Sequence, residues 1–171
     1  MNIDYSHKNK KINLRKYSLS IQKFLKNNNS KIIFEPGRSI IGNTAVLITK
    51  IIYIKKGYKK DFIILDSAMN DLMRPALYGV QHKIIPSKKT RKISKKSYEF
   101  VGPICESTDK FATIKNFQKL KEKDFLAICD VGAYGISLAS NYNVRPKPIE
   151  ILIKGSKVQI ISKKQKLSEL I

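Results

Sequence analysis

The chain has 171 residues, and 34 Lys and Arg against 13 Asp and Glu give it a formal net charge of +21. An apolar share of 42% supports a real core and argues against wholesale disorder. No apolar run approaches the roughly 20 residues of a bilayer span, and two cysteines make neither a disulfide framework nor a metal site.

The charge invites a nucleic-acid reading, but its make-up argues for a solvated lysine coat. Only five basic residues are arginine: Arg15, Arg38, Arg74, Arg91 and Arg145. Nucleic-acid surfaces favour arginine forks and interleaved aromatics. The lysines here are spread over every segment, among many Ile and Asn. No specific nucleic-acid partner and no membrane partner are expected. The first residues lack the apolar stretch of a secretory signal, so a cytoplasmic location is the expectation.

In chain order, residues 10–27 read as an amphipathic helix with Leu14, Tyr17, Ile21, Phe24 and Leu25 on one face. Residues 31–34 read as a short buried strand, ended by Glu35-Pro36-Gly37. Helix, strand and polar loop in this order make one α/β unit, with ligand groups expected on the loop. Beyond residue 43 the pattern changes. Strands are expected over 44–55, 61–66, 98–101, 124–130, 149–153 and 158–161, rich in β-branched residues and separated by turns. Residues 86–97 form a charged exposed loop. The fold class is therefore α+β: a remnant of an α/β unit over 1–43, then a mostly antiparallel β domain over 44–171.

Four loops are more than polar filler. Glu35-Pro36-Gly37-Arg38 follows the apolar run and ends in a planar fork suited to carboxylate or phosphate. Arg74 stands four residues before Tyr78. Gly102-Pro103-Ile104-Cys105-Glu106-Ser107 sets a thiol beside a carboxylate, and Gly132-Ala133-Tyr134-Gly135 brackets a phenol with glycines. Each alone is weak.

In this order, together with Met69–Tyr78, Asp130–Gly135 and Ser140–Pro146, they are specific. The chain resembles the carboxyl-terminal half of the diaminopimelate decarboxylase family, along essentially its whole length. Members of that family are pyridoxal-phosphate enzymes with a TIM-like, alanine-racemase-like barrel and a β domain. The resemblance implies pyridoxal-phosphate-dependent decarboxylation of meso-diaminopimelate to L-lysine. It makes residues 1–43 the last α/β unit of the barrel. Glu35, Gly37 and Arg38 would line the phosphate end of the cofactor, and Tyr134 would contact it. Arg38, Arg74 and Tyr78 would bind the substrate's far carboxylate, and Glu106 its distal ammonium. Cys105 would return a proton to Cα.

The family's barrel also carries the Schiff-base lysine and a glycine-rich phosphate loop. Neither can be placed in this sequence. Ile3-Asp4-Tyr5 resembles sequence that follows the glycine loop, so Met1 is expected to be internal to a longer polypeptide. The family's sites lie at a dimer interface, with the Cys-Glu loop supplied by the neighbouring subunit. The implied partners are therefore a second copy or a complementing amino-terminal barrel half. The surface that barrel strands would cover is expected to be apolar. Two other functions stay open: a non-catalytic remnant that dimerises, and a basic nucleic-acid binder.

Plain structural roles stand beside these. Arg38 and Arg74 would pair with Asp66 or Asp71, Cys105 would be an inert buried thiol, and Tyr134 a packing residue. Cys129 reads as core, and His7 and His82 as non-catalytic. Tyr142 is unassigned, and no metal ligand set is expected.

Overall fold

The structure is a computed structural model that describes residues 3–5 and 12–170. His7 and the first two positions of the expected helix lie outside the described residues.

Helix α1 (Leu14–Asn27) starts where Asn13 accepts the Lys16 N–H on its side-chain oxygen at 2.9 Å. This satisfies one of the donors a helix N-terminus leaves free. It ends at the Asn-rich stretch, where the Asn28 amide donates to the Phe24 carbonyl. Its apolar stripe is as expected, but none of its residues is buried. Leu14, Tyr17, Phe24 and Leu25 all stand exposed. The expected strand over 31–34 does not form: these residues pair with no strand, and Ile33 is 88% exposed. A strand exists only through a hydrogen-bonded neighbour, and none of the described residues offers one here.

The sheet follows. Strands β1 (Leu47–Lys55), β2 (Lys60–Leu65), β3 (Ile84–Pro86), β4 (Ser97–Val101), β5 (Lys110–Ile114) and β6 (Phe125–Ile128) form one six-stranded sheet, ordered β3-β6-β1-β2-β4-β5. The β1 strand pairs antiparallel with β6 over Leu47–Lys50, then with β2 from Ile51 onward. One pairing departs from the antiparallel expectation: β2 and β4 run parallel, with Lys60 opposite Ser97 and Ile63 opposite Phe100. The core gathers Ile51, Ile63, Leu65, Phe100, Leu126 and Ile128, all essentially inaccessible. Full burial of one such side chain is worth about 1.5–3 kcal/mol. The charged surface loop expected over 86–97 is found between the two strands, with Pro86 ending β3, Ser97 opening β4 and an isolated bridge at Ile93.

Several short elements lie outside the expected set. Strands β3 and β5 are short, and helix α3 (Arg74–Tyr78) has five residues. Pro75 suits its first turn, and Gly79 ends it in the left-handed region at φ 63°. At the carboxyl end, β7 (Glu150–Lys154) and β8 (Lys157–Ser162) form a separate hairpin turned at Gly155. Among the described residues no helix is long and apolar enough to cross a membrane.

Candidate functional site

The site is assembled from three loops and α3. After the apolar run 31–34, Gly37 leads into a short helix α2 (Arg38–Ile41). The segment after α2 is stitched to the glycine-tyrosine loop. The Val131 N–H donates to the Ala45 carbonyl at 3.0 Å, and the Gly132 N–H to the Gly42 carbonyl at 3.1 Å. A Cβ at Gly132 would strike the Ile41 carbonyl, so only glycine permits this approach. Tyr134 sits in the same tight loop with φ 58°, and its ring is half exposed.

Helix α3 supplies the centre. Arg74 and Tyr78 lie one turn apart and so share a face. The Arg74 side chain is buried, 3% exposed. Its guanidinium carbon lies 4.5 Å from the Tyr5 ring centre, 5.8 Å from Tyr78 and 5.9 Å from Tyr134. Stacking of this kind suits a planar, weakly hydrated cation. His82 backs the cluster: its ring meets Tyr5 at 4.7 Å, and its Nδ1–H donates to the Cys129 carbonyl at 2.8 Å. Burial lowers the His82 pKa, aided by the Arg74 charge and opposed by the Cys129 carbonyl and Asp130. Arg74 Nε, His82 Nε2 and the Tyr5 hydroxyl are buried and find no hydrogen-bond partner among the described residues. Such groups are costly and point to function or to a bound partner.

The structure thus brings Arg74, Tyr78 and Tyr134 together, with the loop of Glu35, Gly37 and Arg38 hydrogen-bonded to Tyr134's loop through its downstream residues. It does not bring Cys105 and Glu106 into this cluster. They lie on the turn between β4 and β5. Cys105 is exposed, not a buried thiol. The Thr108 N–H and Ser107 hydroxyl donate to the Glu106 carboxylate and lower its pKa. The turn meets the opposite side of α3, where Pro75, Ala76 and Gly79 share a cavity of about 260 Å³ with Ser107, Thr108 and Phe111.

Asp66 and Asp71 are not the partners of Arg38 or Arg74. The Asp66 carboxylate accepts from Thr49 and the Lys50 N–H, and Asp71 lies 3.8 Å from Arg145. Cys129 is buried as expected. Tyr5 and Arg145 had no legible role in sequence. Arg145 stands in the Ser140–Pro146 motif, the one available signal. Among the described residues no group of three His, Cys, Asp or Glu is placed to hold a metal.

Residues 5–132 match the family model of the pyridoxal-dependent decarboxylase C-terminal sheet domain. The chain belongs to that family. Among curated pyridoxal-dependent decarboxylases, a diaminopimelate decarboxylase of Helicobacter pylori is 41% identical over 171 residues, 98% of this chain and 42% of that protein. One from Aquifex aeolicus is 41% identical over 145 residues, 85% of this chain and 34% of that protein. The chain thus spans about two fifths or less of the length of these relatives. Among solved structures, Helicobacter pylori diaminopimelate decarboxylase complexed with L-lysine aligns with a TM-score of 0.84 and 40% identity, covering 96% of this chain and 41% of the other. The sheet and its loops are therefore shared with this family.

Proposed function

We propose that this chain supplies the carboxyl-terminal share of a pyridoxal-phosphate-dependent decarboxylase that converts meso-diaminopimelate to L-lysine. The observation that carries the reading is the convergence of Arg74, Tyr78 and Tyr134, beside the loop of Arg38, in a family whose close relatives are diaminopimelate decarboxylases. Residues 1–43 would be the end of the cofactor-binding barrel, and residues 44–171 the β domain. The exposed apolar residues of α1, with Ile33 and Ile40, fit a surface that further barrel structure covers.

The residues suit an anionic cofactor and a dicarboxylate substrate. A buried Arg74 Nε–H with no acceptor among the described residues is what a nearby anion would use. Glu35, Gly37 and Arg38 would face the phosphate of pyridoxal phosphate, and Tyr134 its ring. When bound, the cofactor supplies the electron sink that lets carbon dioxide depart. Arg38, Arg74 and Tyr78 hold the substrate's far carboxylate by charge and direction. Glu106, whose carboxylate its own turn favours by hydrogen bonds, pairs with the distal ammonium. The Cys105 thiol returns a proton to Cα, its protonated form being the reactive one. Because the Cys105 turn stands apart from the arginine cluster, a second copy of the subunit would bring it to the site.

The test joins this chain to the amino-terminal barrel half of the Helicobacter pylori relative and measures carbon dioxide release from meso-diaminopimelate. Cys105→Ala is expected to lower kcat about 10²–10⁴-fold, the usual worth of a positioned proton donor. Arg74→Ala is expected to raise KM. Unchanged turnover in Cys105→Ala would refute the proton-donor assignment.

A further inference from the structure

We propose that Asp109 is a positioning residue that sets the Cys105–Glu106 turn against the segment carrying Arg74. Its carboxylate is buried, with Asp109 only 3% exposed, and is shared between two segments far apart in sequence. One oxygen accepts the Ile104 N–H at 2.8 Å, immediately before Cys105. The other accepts the Met69 N–H at 2.7 Å, at the start of the loop that enters α3.

The backbone closes around the same group. The Gly102 N–H donates to the Asp109 carbonyl at 3.0 Å, the Asp109 N–H to the Glu106 carbonyl at 3.0 Å, and the Glu106 N–H to the Ile104 carbonyl at 2.8 Å. A Cβ at Gly102 would overlap the Asp109 carboxylate, so glycine there makes room for it. One side chain thus ties the start of the turn that presents the thiol and Glu106 to the loop that enters α3. Two N–H donors aimed at two oxygens demand an acceptor-only group. Asparagine offers one oxygen and one NH₂, and the NH₂ would face a donor. A misplacement of about 1 Å is enough to cost roughly 100-fold in rate.

The inference rests on the proposed roles of Cys105 and Glu106, and the experiment separates the two. The first measurement uses this chain alone and needs no activity. Asp109→Asn is expected to speed amide hydrogen exchange at Ile104 and Met69 more than tenfold, with β1 amides unchanged. Unchanged exchange at both positions overturns the proposal.

The second measurement uses the complemented enzyme. Asp109→Asn is expected to lower kcat at least tenfold in the wild-type background and to add no further loss in a Cys105→Ala, Glu106→Gln background, since it acts through these two side chains. Multiplying losses would show an independent, merely structural role and overturn it. If Cys105→Ala proves fully active, the decarboxylase assignment of Cys105 fails, while the exchange result still decides whether Asp109 sets the turn. Should Asp109→Asn fail to fold, Asp109→Glu keeps the charge and shifts it by one methylene. It is expected to give the same exchange and kcat pattern with a smaller effect, and wild-type behaviour from it counts against the proposal.

Discussion

The Arg145 Nε–H donates to the side-chain oxygen of Asn70 at 3.0 Å, joining residues 75 positions apart. The same guanidinium donates to the Asp66 carbonyl at 2.6 Å. Asn70, itself fully buried, donates its amide to the Ser140 carbonyl and accepts the Ser140 N–H on its own carbonyl. The loop that follows β2 and leads to Arg74 is thereby tied to the segment that follows Tyr134.

Removing that tie has a foreseeable cost. Arg145→Ala leaves the buried Asn70 oxygen without its donor. It is expected to destabilise the chain by about 1–3 kcal/mol, the desolvation penalty of an unsatisfied group. Urea unfolding followed by circular dichroism measures it. Arg145→Lys should not restore stability, because a single ammonium cannot reach Asn70 and the Asp66 carbonyl with the fork's geometry.

His82 predicts a pH dependence with a definite sign. Burial and the nearby Arg74 charge hold its pKa below the ordinary 6.5, despite the Cys129 carbonyl and Asp130, which pull the other way. The unfolded chain therefore binds a proton that the folded chain resists. Stability contributed by the neutral ring is present above about pH 6.5 and is lost as pH falls below it. His82→Gln is expected to flatten the stability profile between pH 7 and 5 relative to wild type. The comparison cancels His7, which both proteins share. The raised carboxyl groups of Asp71 and Asp109, pushed up chiefly by burial, act oppositely and in a lower window. Their native forms hold protons longer, so their contribution falls as pH rises through it. Parallel profiles for the two proteins would contradict the assignment.

The two thiols should separate cleanly. Cys105 is exposed, whereas Cys129 is buried and its pKa is raised by that burial and by Asp130. A thiolate-selective disulfide reagent is expected to modify one thiol in the native chain and the second only on denaturation. Cys105→Ser should abolish the native reaction. Fast native modification of both would show that the β6 end is not packed as described.

Much of the sheet was legible because its chemistry is local. The β-branched runs of β1, β2, β7 and β8 announce strands wherever they lie. Strand β3 carries only Ile84, Ile85 and Pro86, and α3 only five residues. Neither is long enough for a period to show. Residues 31–34 look like a strand by the same criterion, yet none forms, because pairing is a property of neighbours and not of the segment. The parallel run of β2 beside β4 was equally hidden, since alternation of buried and exposed residues is the same in either direction.

For the site, the chain order of its loops singled out Arg74, Tyr78 and Tyr134, which the fold brings together, and the glycines at 132 and 135 pointed to a tight approach. Asp109 and Arg145 were passed over, since a lone carboxylate or guanidinium in a loop carries no sign of what it will bond. By itself, the sequence determined the family and the strand-rich character, because these depend on residue type and local order. Only the tertiary structure decided that Arg74 stacks against Tyr5 and Tyr134 while Cys105 stands on another turn. Buried hydrogen bonds between distant loops set those positions, and such bonds exist only once the chain has folded.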